Sequence, residues 1–206
     1  VVADTASIRL DADEAGDEPF LLARRLPGVP VVVGGNRYDT ARLALERFGV
    51  TAIVLDDAFQ HRTLKKSLEI VTARARNPWG NGRLLPAGPL REPLAALGRA
   101  DLVVATDATR PVDASAVVAA VNEHAPGVPV LTAVFIPAEC WEASRMRPLP
   151  LAELRGKRFA AFAGIASPDA FAATLESAGV TVAEFARFAD HHWFTPAEVA
   201  GLDGRA

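Results

Sequence analysis

The chain has 206 residues, half of them apolar and 23% charged, with a formal net charge of −3. That length fits one domain, or one domain with a smaller lobe, and the composition excludes an intrinsically disordered chain. The mild acidity argues against a nucleic-acid binder, and no apolar run reaches the ~18 residues of a membrane-spanning helix.

A single cysteine, Cys140, excludes an internal disulfide and a thiolate metal site, and reads as a partly buried thiol beside Trp141. The opening VVADTASIRL has neither the basic start nor the long apolar stretch of a secretory signal, and it has no initiator methionine, so a preceding segment is expected.

In chain order, Gly16-Asp17-Glu18-Pro19 stands before an apolar helical face of Phe20, Leu21, Leu22 and Leu26. Asp17 there reads in two ways, as a helix cap or as a carboxylate placed for general-base work. The β-branched run Val29 to Val33 predicts a buried strand, and the spacing of Ala41, Ala44, Leu45 and Phe48 predicts a helix from Asn36 to Phe48 closed by Gly49. Thr51 to Leu55 predicts a second buried strand that ends on Asp56 and Asp57, completing a βαβ unit.

Leu68 to Val71 predicts a third strand. From Ala73 to about Leu90 the chain is rich in glycine, proline and asparagine, too long a connection to be ordinary, and it leads into Arg91 and Glu92. Alternation then resumes, with strands at Leu102–Ala105, Val128–Val134, Phe159–Ala163 and Val180–Phe185 and helices at Asp113–His124 and Pro168–Ala178. This pattern predicts an α/β fold, a mostly parallel sheet flanked by helices on both faces. Phe135 to Arg155 breaks the rhythm, apart from a loop at Pro148 to Leu154 that leads into a short helix. The expected division is residues 1–134 as the main core and 135–206 as a continuation or smaller lobe.

Three clusters carry candidate chemistry. Carboxylates at the carboxyl end of a sheet strand lie where open α/β folds bind ligands, so Asp56 and Asp57 suit a magnesium ion, with Gln60 and His61 near enough to hydrogen-bond the same site. The alternative is a solvated acidic turn. Asp17 is the second cluster. The third is Asp190-His191-His192-Trp193, where a histidine beside a carboxylate suits a base or its partner and the spacing matches no zinc pattern. Thr195-Pro196 reads as the start of a last helix. No G-x-x-x-x-G-K-[ST] phosphate loop occurs: Gly34-Gly35 runs into Asn36 and Arg37 without the lysine.

Four ordered segments, Gly16-Asp17-Glu18-Pro19 with Leu21-Leu22-Ala23, Leu55 to His61, the fourteen-residue run Gly80 to Pro93 (GNGRLLPAGPLREP) and Asp190-His191-His192, resemble the tetraacyldisaccharide 4'-kinase family, the lipid A kinases of Gram-negative bacteria. The resemblance implies a P-loop nucleotide hydrolase-like fold, incomplete here because the N-terminal phosphate-loop segment is lacking, so that the fragment alone is inactive. It implies transfer of the γ-phosphoryl group of ATP, with magnesium, to the 4'-hydroxyl of an acylated disaccharide 1-phosphate at the cytoplasmic face of the inner membrane. Membrane contact is expected mainly through the preceding segment.

By the same resemblance Asp17 is the base and His191 its partner, with His192 the second choice. Asp56 and Asp57 serve magnesium and phosphate beside Gln60 and His61, and Arg91 and Glu92 lie near the nucleotide or substrate phosphate. Trp79, Leu84, Leu85 and Leu90 read either as a landing surface for lipid or as core. Two departures stand out, Ala58 in place of a glycine and Thr72 in place of an aspartate. A degenerate binding module and a kinase for a different sugar are the competing readings.

Overall fold

The computed structural model describes residues 1–108, 110–142, 145 and 147–203 and divides into two units, Val1–Thr132 and Ala133–Ala206.

Short helices open the first unit. Asp11 and Glu14 form a reciprocal capping box on α1 (Ala12–Ala15), and Gly16, at φ 90°, both closes α1 and starts α2 (Asp17–Arg25). Asp17 is therefore the first helical residue and not the cap. Its carboxylate accepts a hydrogen bond from the Glu18 N–H at 3.0 Å. Ala23 of α2 packs with Val2 and Ala3 in a small apolar cluster against Leu10, Ala15 and Val31. Asn36 caps α3 (Arg37–Phe48), its side-chain oxygen accepting from the N–H groups of Tyr38 and Asp39 at 3.0 and 3.4 Å, and Gly49 ends it in the left-handed region.

The main core lies around a parallel sheet in the order β1 (Ile70–Arg74), β2 (Leu102–Thr106), β3 (Val130–Thr132), with Ile70 opposite Leu102 and Val103 opposite Val130. In the central strand Val103 and Ala105 are fully buried. They meet Val117 and Val121 of α4 (Ser115–His124), with Leu97 from the 3-10 turn at Leu94–Arg99. Most of these side chains are alanine and valine, so helix and sheet approach closely. Phe59, Trp79 and Leu94 reach into the same core from connecting segments. Phe59 is only partly buried, so its packing contributes a fraction of the roughly 1.5–3 kcal/mol that complete burial gives, and it ties its loop to the core.

Two expected strands are absent. Of Val29 to Val33 only Val31 pairs, in an isolated antiparallel bridge to Ala3, while Val29 and Val33 are exposed. Thr51 to Leu55 is not a strand, and Val54 is 96% exposed. A strand exists only by pairing with a neighbour, and among the described residues the backbone of 51–55 hydrogen-bonds to none. Asp56 and Asp57 therefore follow an exposed segment and do not end a buried strand, and the first βαβ unit does not form.

The second unit holds a parallel pair, β6 (Arg158–Ala163) and β7 (Thr181–Arg187), joined by α5 (Pro168–Ser177). It also holds an antiparallel hairpin in the region where the alternation lapses, β4 (Cys140–Glu142) with β5 (Arg147–Leu149). The half-buried Cys140 thiol donates to the Leu149 carbonyl oxygen at 3.1 Å, a structural contact. A final helix, α6, spans Pro196–Asp203. The α/β character and parallel pairing agree with the fold class read from the sequence. Among the described residues no helix is long and apolar enough to cross a membrane.

Candidate functional site

Two connections of the first unit build a shared cavity. In the first, Asp57 sits in the left-handed region at φ 46°, where a residue with a Cβ is uncommon. After it the chain turns, the His61 N–H donating to the Ala58 carbonyl at 3.0 Å, and Phe59 is anchored in the core.

The second connection, the glycine- and proline-rich stretch after β1, is an ordered loop. The Asn81 side-chain amide donates to the Ala87 carbonyl at 2.9 Å, and the Gly88 N–H donates to Leu84 at 3.0 Å. The Leu85 N–H donates to Leu90 at 2.9 Å. A Cβ on Gly88 would lie 2.1 Å from Asn81 Oδ1 and 2.3 Å from the Arg83 carbonyl oxygen, so only glycine fits. Gly88→Ala is therefore expected to destabilise the protein by about 2 kcal/mol or more, read as a lower midpoint in urea unfolding.

This loop delivers Arg91 and Glu92. Arg91 Nη1 donates to both carboxylate oxygens of Asp57, at 2.8 and 2.7 Å, across 34 residues of sequence. Glu92 is paired instead with Arg99, at 2.5 Å, and the Arg99 guanidinium lies 4.4 Å from the Phe59 ring centroid. Asp57, Gln60, Arg91 and Glu92 all line one cavity of about 260 Å³, with Phe59 and Trp79 among its apolar walls. That volume lies just below the range of about 300–1,000 Å³ usual for small-ligand pockets. The Asp57 and Arg91 side chains are 63% and 55% exposed, and such a pair contributes only about 0–1 kcal/mol to stability. The arrangement thus sets an exposed arginine–carboxylate pair beside an apolar wall.

The remaining expected residues lie elsewhere. Asp56 is exposed and His61 half-buried, and neither lines this cavity. Asp17 is exposed at the start of α2. His191 belongs to the second unit, with its backbone at φ 56° and its N–H donating to the Gly164 carbonyl at 3.1 Å. Its neighbour His192 is committed to packing. The ring stacks on Phe188 at 4.7 Å, meets Phe194 edge-on at 4.9 Å, and its Nε2 lies 3.1 Å from Glu198 Oε1. Gly164 permits this turn, since a Cβ there would lie 2.9 Å from His192 Cβ.

Glu198 and Thr195 form a capping box on α6, the glutamate accepting from the Thr195 N–H and hydroxyl, each at 2.8 Å, while the Glu198 N–H donates back to the hydroxyl at 3.3 Å. The Thr195 N–H, then its hydroxyl, and further His192, hold the Glu198 carboxyl below its ordinary value. A depressed folded-state value means that this stabilisation is present above the ordinary carboxylate range and is lost as pH falls through the lowered value. Fraying of α6 is therefore expected as pH is taken from about 6 to about 3, measured by amide exchange, and Glu198→Gln should abolish that dependence.

Sequence reasoning missed Lys66, which bonds the carbonyls of Ala58 and His61, and Arg99, which contacts Glu92 and the Phe59 ring. Neither belongs to a recognisable motif, so only the folded chain shows them. It also gave no role in the cavity wall to Trp79, whose indole nitrogen is buried with no hydrogen-bond partner among the described residues.

A model of the tetraacyldisaccharide-1-P 4'-kinase family matches residues 1–206. The chain is 45% identical over 200 residues to the tetraacyldisaccharide 4'-kinase of Anaeromyxobacter dehalogenans (strain 2CP-C), covering 97% of this chain and 53% of that protein. It is 40% identical over 214 residues to the enzyme of the same description from Syntrophus aciditrophicus, covering all of this chain and 57% of the relative. A crystal structure of LpxK from Aquifex aeolicus in complex with ATP superposes with a TM-score of 0.69 at 34% identity, over 95% of this chain and 59% of that one. The chain thus spans about half the length of the relatives it matches.

Proposed function

The chain belongs to the tetraacyldisaccharide-1-P 4'-kinase family, and from that premise we propose that these residues serve an enzyme that transfers the γ-phosphoryl group of ATP to the 4'-hydroxyl of tetraacyldisaccharide 1-phosphate. The observation that carries the reading is the cavity in which Arg91 and Asp57 meet, with Gln60 and Glu92 in the same wall. Phosphoryl transfer needs placement and charge neutralisation more than covalent help from the protein, and this wall supplies both. ATP is the bound nucleotide of the solved relative and the phosphoryl donor in this reading.

Magnesium suits the residues present. Among the described residues no group of three or more His, Cys, Asp or Glu gathers to hold a metal. Magnesium asks for less, commonly one or two carboxylates completed by water and phosphate, and Asp56 and Asp57 are adjacent hard oxygen donors. Bound there, the ion would neutralise charge on the nucleotide phosphates. Arg91 anchors the Asp57 carboxylate and presents its remaining N–H groups to an anion. Asp17, held by its bond to the Glu18 N–H, serves in this reading as the base that accepts the proton of the sugar hydroxyl.

Substrate choice tests the reading. The full-length polypeptide should transfer phosphate from ATP to the acylated disaccharide monophosphate and leave soluble sugars largely untouched. Equal transfer to soluble sugars, or none to the lipid, would overturn it.

A further inference from the structure

We propose that Lys66, which does not line the cavity, is a positioning residue for the reaction: its ammonium group clamps the backbone of the loop that carries Asp57 to the start of the sheet. The inference rests on the kinase reading and adds a residue to its machinery.

The geometry fixes what Lys66 does. Its Nζ donates to the Ala58 carbonyl at 2.6 Å and to the His61 carbonyl at 3.1 Å, and it pairs with Glu69 Oε1 at 2.8 Å. The Lys66 side chain is only 10% exposed and that of Glu69 18%, so the ammonium is held where an unpartnered charge would be costly. A lysine has three N–H donors, and three acceptors account for all of them. None remains for a ligand phosphate, which separates Lys66 from a phosphate-binding lysine.

The other end of the clamp is equally fixed. Glu69 precedes β1, and its N–H donates to Asp101 Oδ2 at 2.7 Å, while its carbonyl accepts from the Asp101 N–H at 2.9 Å. The chain of contacts therefore runs from the first residues before the sheet, through Glu69 and Lys66, to the carbonyls of residues 58 and 61. Asp57 is one residue away from the first of these, with its backbone in the left-handed region at φ 46°. Arg99 also contacts this loop, its guanidinium 4.4 Å from the Phe59 ring centroid. Loss of the Lys66 clamp should let the loop relax and carry the Asp57 carboxylate out of register with Arg91 and with any cation held there. A misplacement of about 1 Å is enough to lower a rate about 100-fold.

The test compares wild type, Lys66→Met and Lys66→Arg in the full-length protein, using ATP, the acylated disaccharide monophosphate and a magnesium titration. Lys66→Met is expected to lower kcat by about 100-fold and to raise the magnesium concentration for half-maximal rate at least about tenfold. Without substrates, amide exchange at His61 and Arg62 should quicken at least about tenfold while exchange in β1 and β2 stays as in wild type. Lys66→Arg keeps the charge but not the compact shape, so it should fall between the two, with a loss of about three- to tenfold. If Lys66→Met does not fold, Lys66→Arg decides by the same measurements.

Folded variants with wild-type kcat, magnesium dependence and loop exchange would overturn the role of Lys66. So would variants that lose only melting temperature. A wild-type protein that transfers no phosphate to the disaccharide would instead overturn the kinase reading.

Discussion

Replacing Asp17 by alanine in the full-length protein is expected to lower kcat by about 10²–10⁴-fold while nucleotide affinity stays within about threefold of wild type. The expectation follows from where the residue sits. Gly16 breaks the chain direction at φ 90°, and Asp17 then begins α2 with its carboxylate held by the Glu18 N–H at 3.0 Å. The side chain is exposed at a helix start and contributes nothing to the apolar core, so its loss should leave the fold intact. A carboxylate fixed by backbone and open to solvent is suited to take a proton from a substrate hydroxyl. Asp17→Asn keeps the hydrogen-bonding shape and removes the basicity, and should be as impaired as the alanine variant. Steady-state kinetics with calorimetric nucleotide titration separates the two effects. Loss of nucleotide binding in Asp17→Ala would move Asp17 from the sugar side of the reaction to the nucleotide side.

The second large effect is expected at Arg91. Arg91→Ala should reduce kcat/KM by about 10³-fold or more, in line with arginines that neutralise transferring phosphoryl groups, and Arg91→Lys should recover only part of it. Stability should hardly change. The Asp57–Arg91 pair is more than half exposed on both sides, and pairs of that kind contribute at most about 1 kcal/mol. Equilibrium unfolding in urea provides the comparison. A variant that unfolds like wild type and has lost its chemistry locates the function of the pair outside the fold.

Much of the scaffold was legible in sequence because local signals agreed with the final structure. Asn36 and Gly49 bracket α3 as a cap and a left-handed terminator should. The apolar run at 102–105 is the central strand, where both faces are covered enough for every position to be apolar. The length and glycine content of the stretch between residues 73 and 90 marked it as no ordinary connection, and in the structure it leads into Arg91 in the cavity wall.

The failures have equally definite causes. Thr51 to Leu55 has the composition of a buried strand, yet Val54 is 96% exposed, because composition reports what a strand needs and not whether a neighbour supplies it. The hairpin of β4 and β5 consists of three-residue strands, too short for a period-two pattern to register. The approach of Asp57 to Arg91 spans 34 positions and depends on the loop closing through Gly88 and on Phe59 and Trp79 entering one core. His191 and His192 are chemically identical on paper. In the structure Phe188, Phe194 and Glu198 engage the His192 ring, contacts that the sequence does not display.

The most direct test is a double-mutant cycle on Asp57 and Arg91 in the full-length protein, with Asp57→Asn, Arg91→Ala and both together, read in kcat/KM for transfer from ATP to the acylated disaccharide monophosphate. If the pair acts as one unit on the phosphate, each single variant loses at least about 100-fold and the double variant loses little more than the worse single one. Full activity in both single variants, or losses that simply multiply in the double, would contradict the account.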